Sequence, residues 1–225
     1  MGPGSNRKMI VTIDGPAGAG KTTVSRLLAD RLGYTYVDTG ALYRGIAYIV
    51  RQKGIAPDDD KALAALCADL NLAFVADEAG PRLIANGIDV TDHIRTPEIS
   101  MLASTVSARP IVRGFLLDIQ RAMGRRKAAV FEGRDMGTVV FPEADVKFFL
   151  DASVQTRAQR RYKEIAHRTS QSLDDVQRDM ARRDANDQSR AVAPLKPAPD
   201  AICIDSSALT IDAVVTRMLD HIENA

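Results

Sequence analysis

The 225-residue chain has two cysteines, Cys67 and Cys203, and no Cys-x-x-Cys pair. A thiolate metal centre therefore has no support. Cys67 falls on the apolar stripe of a predicted helix and Cys203 inside a predicted strand. Both are expected to be small buried side chains. No apolar run approaches the length of about 18 residues that a membrane-spanning helix needs. An excess of one charge is missing too: 30 Lys+Arg stand against 29 Asp+Glu. Bulk attraction to nucleic acid or to a membrane surface is thereby excluded. The three histidines, His93, His167 and His221, have no candidate nucleophile nearby in sequence and are expected to be solvated. The guanine-reading pattern Asn-Lys-x-Asp is absent as well, and the chain is short for a motor ATPase.

What is present is an ordinary globular composition, 45% hydrophobic and 26% charged. Residues 1–8, opening Met1-Gly2-Pro3-Gly4-Ser5, have no apolar h-region and read as a cloning leader, disordered and outside the fold. Met9 to Asp14 reads as a buried strand, followed by a glycine-rich turn and a helix carrying Val24, Leu27, Leu28 and Leu32. Gly33 suits the end of that helix. Tyr34 to Val37, Ala128 to Phe131, Val146 to Leu150 and Ala201 to Asp205 read as further strands. Helical patterns separate them, and this alternation implies a parallel sheet flanked by helices. Pro97 and Pro110 each open a helix. Residues 72–92 differ: short strands meet at Asn86-Gly87, a strong hairpin turn, which predicts a small antiparallel insert. Residues 155–190 read as an arginine-rich helical lid. The expected organisation is one P-loop kinase domain over 9–225, with a monophosphate-binding region over 39–110.

Gly15-Pro16-Ala17-Gly18-Ala19-Gly20-Lys21-Thr22 matches G-x-x-x-x-G-K-[ST] between a strand and a helix. Its glycines let backbone N–H groups turn toward phosphate oxygens. The helix N-terminus adds a favourable dipole. Lys21 can reach the β and γ phosphates, and Thr22 can hold Mg²⁺. Residues Gly15 to Thr22, with Thr23, are the expected ATP site. The loop does not name the reaction, because many chemistries share it. Two further segments stand at predicted strand ends, where open α/β sheets bind ligands. They are Asp38-Thr39-Gly40-Ala41-Leu42-Tyr43-Arg44 and Glu132-Gly133-Arg134-Asp135. Arg44 and Arg134 are candidates for a second phosphate, since the guanidinium fork suits phosphate. Surface ion pairing is the plainer alternative. The lid holds Arg157, Arg160, Arg161, Arg168, Arg178, Arg182, Arg183 and Arg190, mixed with acids. Such a mixture is usually a solvated helix face. Arg157 and Arg161 lie four apart on one face and could close on triphosphate while excluding water.

Taken together, the 38–44 segment, Glu132 to Pro142 and Arg190-Ala191-Val192-Ala193-Pro194-Leu195 resemble the bacterial cytidylate kinase family. The resemblance runs from about residue 9 to the end. It implies ATP-dependent phosphorylation of CMP and dCMP in the cytoplasm, by direct in-line transfer with Mg²⁺. It also implies a monomer that uses nucleotides as partners and neither nucleic acid nor membrane. The resemblance assigns Lys21, Arg157 and Arg161 to catalysis. Ser104, Arg113 and Asp135 would read cytosine, Tyr43, Arg183 and Asp187 would lie around the sugar, Arg44, Arg134 and Arg190 would hold the monophosphate, and Thr39 would belong to the same CMP site. Thr39 replaces a serine common in the family, with the hydroxyl kept. Other monophosphate kinases and a non-catalytic nucleotide-binding module remain as alternatives at this stage.

Overall fold

The computed structural model describes residues 8–77, 80–166 and 171–224. Residues 1–7 of the expected leader, His167 and Arg168 lie outside them. Five strands form one parallel sheet: β1 (Ile10–Asp14), β2 (Thr35–Asp38), β6 (Ala129–Glu132), β7 (Val146–Asp151) and β8 (Ile202–Asp205). Their spatial order is β2-β6-β1-β7-β8. The chain builds to one side of β1 and then crosses to the other. The loop after β1 therefore lies where the strand order reverses, the usual ligand position in such sheets. Helices α1 (Lys21–Leu32) and α8 (Ile211–Glu223) pack on this sheet, and Val24, Leu28, Val214, Val215 and Met218 share one core with Val11, Ile13 and Phe148. Gly33 ends α1 at φ 65°, and its N–H returns to the helix carbonyls. Polar helices α6 (Val154–Ile165) and α7 (Leu173–Ser189) pack on each other through Ala158, Ile165, Val176 and Met180.

The chain divides into two compact units. The sheet, α1 and α6 to α8 belong to the first, with residues 1–38, 121–189 and 193–225. The second comprises 39–120 and 190–192. It holds α2 (Thr39–Gln52), α3 (Asp60–Asp69), α4 (Pro97–Val106) and most of α5 (Pro110–Gly124). The insert is the antiparallel sheet β3 (Leu72–Val75), β4 (Arg82–Ala85) and β5 (Ile88–Asp89), turning at Asn86-Gly87. Leu83 and Ala85 are buried, so one face of β4 supplies the core of this piece. Thr96 caps α4 through its side-chain oxygen, with Pro97 in the first turn.

Two local expectations need correction. Cys67 is buried, but Cys203 is exposed. β8 is the edge strand of the sheet, and within it Ile202 and Ile204 share the face packed on the core while Cys203 lies on the other. The strand expected at 128–131 runs 129–132 instead. Lys127 and Ala128 both adopt φ 51°, outside the extended region, and Glu132 pairs with Ile13 at the other end.

Candidate active site

The phosphate loop is built as its composition requires. β1 delivers Asp14 to the sheet edge, and Gly15 turns there with φ 145°. A side chain on Gly15 would meet the Leu150 carbonyl oxygen at 1.9 Å, so this position admits glycine alone. Gly20, at φ 92°, precedes α1 without any side-chain cap. The first amides of α1 are thereby left for an incoming phosphate. Lys21 is buried, and its Nζ donates to the Pro16 carbonyl at 2.7 Å. Burial first, then the cations of Arg134 and Arg183, lower its pKa to about 7, against the opposing pull of Glu132 and Asp14. Lys21 thus stands in a site made too positive for it, which an anionic phosphate would relieve.

Next to the loop, Thr22 Oγ1 donates to Glu132 Oε1 at 2.9 Å. Tyr36 OH donates to the other oxygen, Oε2, at 2.6 Å. Burial, with Asp38 and Glu132 nearby, pushes the Tyr36 phenol well above its ordinary range, so it remains a donor. A hydroxyl and a carboxylate side by side are hard oxygen donors of the kind Mg²⁺ takes, together with water and substrate phosphates. Among the described residues no group of three or more His, Cys, Asp or Glu is gathered for a metal. Glu132 and Tyr36 were not assigned a role from sequence. Glu132 could have been singled out as the acid closing an apolar strand, whereas the contact to Thr22 spans 110 residues and has no local signature.

The Arg134-Asp135 segment follows β6, the strand beside β1. Arg134 Nε lies 3.1 Å from Asp187 Oδ2, and that carboxylate is almost wholly buried. Asp135 is 2% exposed and precedes a five-residue π-helical turn, Met136–Val140. The same unit thus brings Lys21, Arg134, Arg183, Asp187 and Asp135 to one end of the sheet.

The lid arginines separate sharply. Arg157 is buried, and its guanidinium donates to the Ala152 carbonyl at 2.9 Å, the Ala17 carbonyl at 3.1 Å and Asp184 at 2.5 Å. It fastens the base of α6 beneath the phosphate loop. Arg160 also reaches back, to the Ser206 carbonyl at 2.8 Å and towards Ala19. Arg161 is more exposed and pairs only with Glu164, one turn along the helix, among the contacts described for it.

In the second unit, Arg113 is buried with its guanidinium 5.7 Å from the centre of the Tyr43 ring. One of its nitrogens donates to the Ser107 carbonyl at 3.3 Å, and the Ser107 hydroxyl donates to the Ser104 carbonyl. Tyr43, Arg113 and the Ser104 turn are therefore one cluster. Thr39 opens α2 and is buried, while Arg44 and Arg190 are half-buried.

The comparison with known proteins decides the family. The cytidylate kinase family model matches residues 11–224. The chain belongs to the cytidylate kinase family. A cytidylate kinase of Geobacter sulfurreducens is 54% identical, over 97% of this chain and 94% of that protein. One of Pasteurella multocida is 42% identical, over 97% and 96%. Among solved structures, a shikimate kinase of Bacteroides thetaiotaomicron aligns with TM-score 0.50 at 13% identity, over 96% of this chain and 99% of that one. That likeness shows the fold alone. A P-loop kinase with a parallel sheet and a small antiparallel insert is therefore the architecture of this cytidylate kinase family member, and it is a phosphotransferase. No helix among the described residues is long and apolar enough to cross a membrane.

Proposed function

We propose that this chain transfers the γ-phosphoryl group of ATP to CMP and dCMP, giving ADP with CDP or dCDP, as a monomer in the cytoplasm. One observation carries the reading. The donor loop Gly15–Thr22 and the acceptor segment Arg134-Asp135 follow neighbouring strands of one sheet, with Lys21 buried against the charges of both. A phosphate oxygen of CMP attacks the γ-phosphorus in line as the bond to the β-phosphate bridging oxygen breaks. The attacking group is already anionic, so the site has no need of a general base and must instead align the groups and neutralise charge. Lys21 and the α1 amides serve the β and γ phosphates. Arg44, Arg134 and Arg190 hold the monophosphate. Arg161 of the lid is the cation available for the transferred group. Mg²⁺ would be held by Thr22, with Glu132 acting on its bound water, and would offset charge on the phosphates.

Asp135 accepts from the cytosine amino group, and Arg113 donates to N3 and O2. Uracil reverses the hydrogen-bonding sense at N3 and C4, which leaves buried groups mismatched and gives strong discrimination. Ser104 completes the base site, Tyr43, Arg183 and Asp187 surround the sugar, and Thr39 belongs to the same CMP site. Replacing Arg113 or Asp135 by Ala should lower the CMP-over-UMP preference in kcat/KM by on the order of a hundredfold. A preference unchanged in both variants contradicts the base assignment. A coupled assay over AMP, CMP, UMP and GMP separates this reading from a uridylate- or adenylate-type kinase.

A further inference from the structure

Asp14 is the last residue of β1, one position before the phosphate loop. It is 3% exposed. Oδ1 accepts the Met136 N–H at 2.9 Å, and Oδ2 accepts the Gly137 N–H at 2.8 Å. Each oxygen thus takes one of the first amides of the π-helical turn. A third bond runs between the same two segments, from the Gly133 N–H to the Ile13 carbonyl at 3.1 Å. Arg134 and Asp135 are the two residues enclosed between these fastenings. The turn also approaches the sheet closely: a side chain on Gly137 would meet Thr12 Oγ1 and Lys147 Cδ at 3.2 Å.

A carboxylate is an unusual choice for this place. It lies wholly buried, with Asp135 adding like charge and Lys21 opposing it. An apolar residue would avoid the desolvation cost. What only a carboxylate supplies is two acceptor oxygens in one rigid fork, matched here to two consecutive N–H donors. Its backbone is covalently continuous with Gly15. The same residue therefore fixes the phosphate loop and the Arg134-Asp135 segment against each other.

We propose that Asp14 is a positioning residue that sets the Arg134-Asp135 segment against the phosphate loop, and through it the discrimination between cytosine and uracil. The inference rests on the reading of Asp135 as a base-contacting group. In Asp14→Asn the size is kept, but one amide group must face a backbone N–H. The segment then loses its two-point anchorage, and Asp135 loses its fixed aim. The CMP-over-UMP ratio of kcat/KM should fall about tenfold, the equivalent of roughly 1.4 kcal/mol. The loss should appear mainly in KM for CMP, with KM for ATP changed much less. Thr12→Val alters the same packing without touching the two bonds and should leave the ratio near that of the unaltered protein. A general loss of packing would lower the ratio in both variants, and that result overturns the proposal. A folded Asp14→Asn protein with an unchanged ratio overturns it as well. Hydrogen exchange on the unaltered protein supplies an arm that needs no variant: the Met136 and Gly137 amides should be protected as strongly as those of β1. Exchange at the rate of open loop amides contradicts the anchorage. The base reading fails separately, if Asp135→Ala leaves the ratio intact while those amides remain protected.

Discussion

At the scale of residues, similar side chains of the lid stand in opposite environments. Arg157 and Arg161 share a helix face by spacing, and sequence alone assigns both to the lid's charge. The structure separates them by depth. Arg157 lies in the first turn of α6, against the phosphate loop, and its charge is matched by buried Asp184. Removing one partner of such a pair strands the other, at a cost of about 3–5 kcal/mol. Arg157→Ala should therefore lower the urea midpoint substantially. Arg161→Ala should leave the midpoint within experimental error and lower kcat at saturating ATP and CMP. Equal loss of stability in the two variants would contradict the division. Asp14 adds a pH dependence. Burial first, with Asp135 nearby, raises its folded pKa from 3.8 to about 7. The folded protein then holds this proton more tightly than the unfolded chain does. The contribution to stability is greatest below the unfolded pKa, falls as pH rises from about 4 to about 7, and is level above that. The advantage of the unaltered protein over Asp14→Asn in urea unfolding should accordingly shrink between about pH 4 and about pH 7 and stay level above that. An advantage that grows over the same interval would contradict the sign.

Elements were legible where covalent spacing or periodicity carries the information. The P-loop is local in sequence, and its glycines report the turn directly. The hairpin at Asn86-Gly87 and the proline-led helices are equally local. Gly15 gives this a test: alanine there requires φ 145° and displacement of the Leu150 carbonyl. Strain of this kind costs about 1–3 kcal/mol, and ATP affinity should fall with it. Urea unfolding and nucleotide titration measure the two losses. What periodicity could not supply was the edge. Ile202-Cys203-Ile204 reads as a strand buried on both faces, but β8 has a neighbour on one side only, and Cys203 faces outward. The π-helical turn at Met136–Val140 was also hidden. It depends on Asp14, more than a hundred residues earlier, taking its first amides. The link from Thr22 through Glu132 to Tyr36 was hidden for the same reason, since three separate segments must fold before any of it exists.

On the scale of the whole molecule, the near balance of 30 cations and 29 anions matters more than the arginine count. The lid arginines are matched locally, as in Arg157–Asp184, Arg161–Glu164 and Arg178–Asp175. Binding to a single-stranded oligonucleotide should therefore be undetectable at micromolar protein even at low salt, where phosphate contacts are strongest. Salt-sensitive binding there would point to a second role for the lid. The proposed function makes one central claim: ATP is the phosphoryl donor and CMP the preferred acceptor. A coupled assay with ATP and Mg²⁺ over CMP, UMP, AMP and GMP tests that claim directly. The account predicts rapid ADP formation with CMP and kcat/KM values lower by on the order of a hundredfold or more with the other three. Equal or faster turnover of UMP or AMP would contradict it.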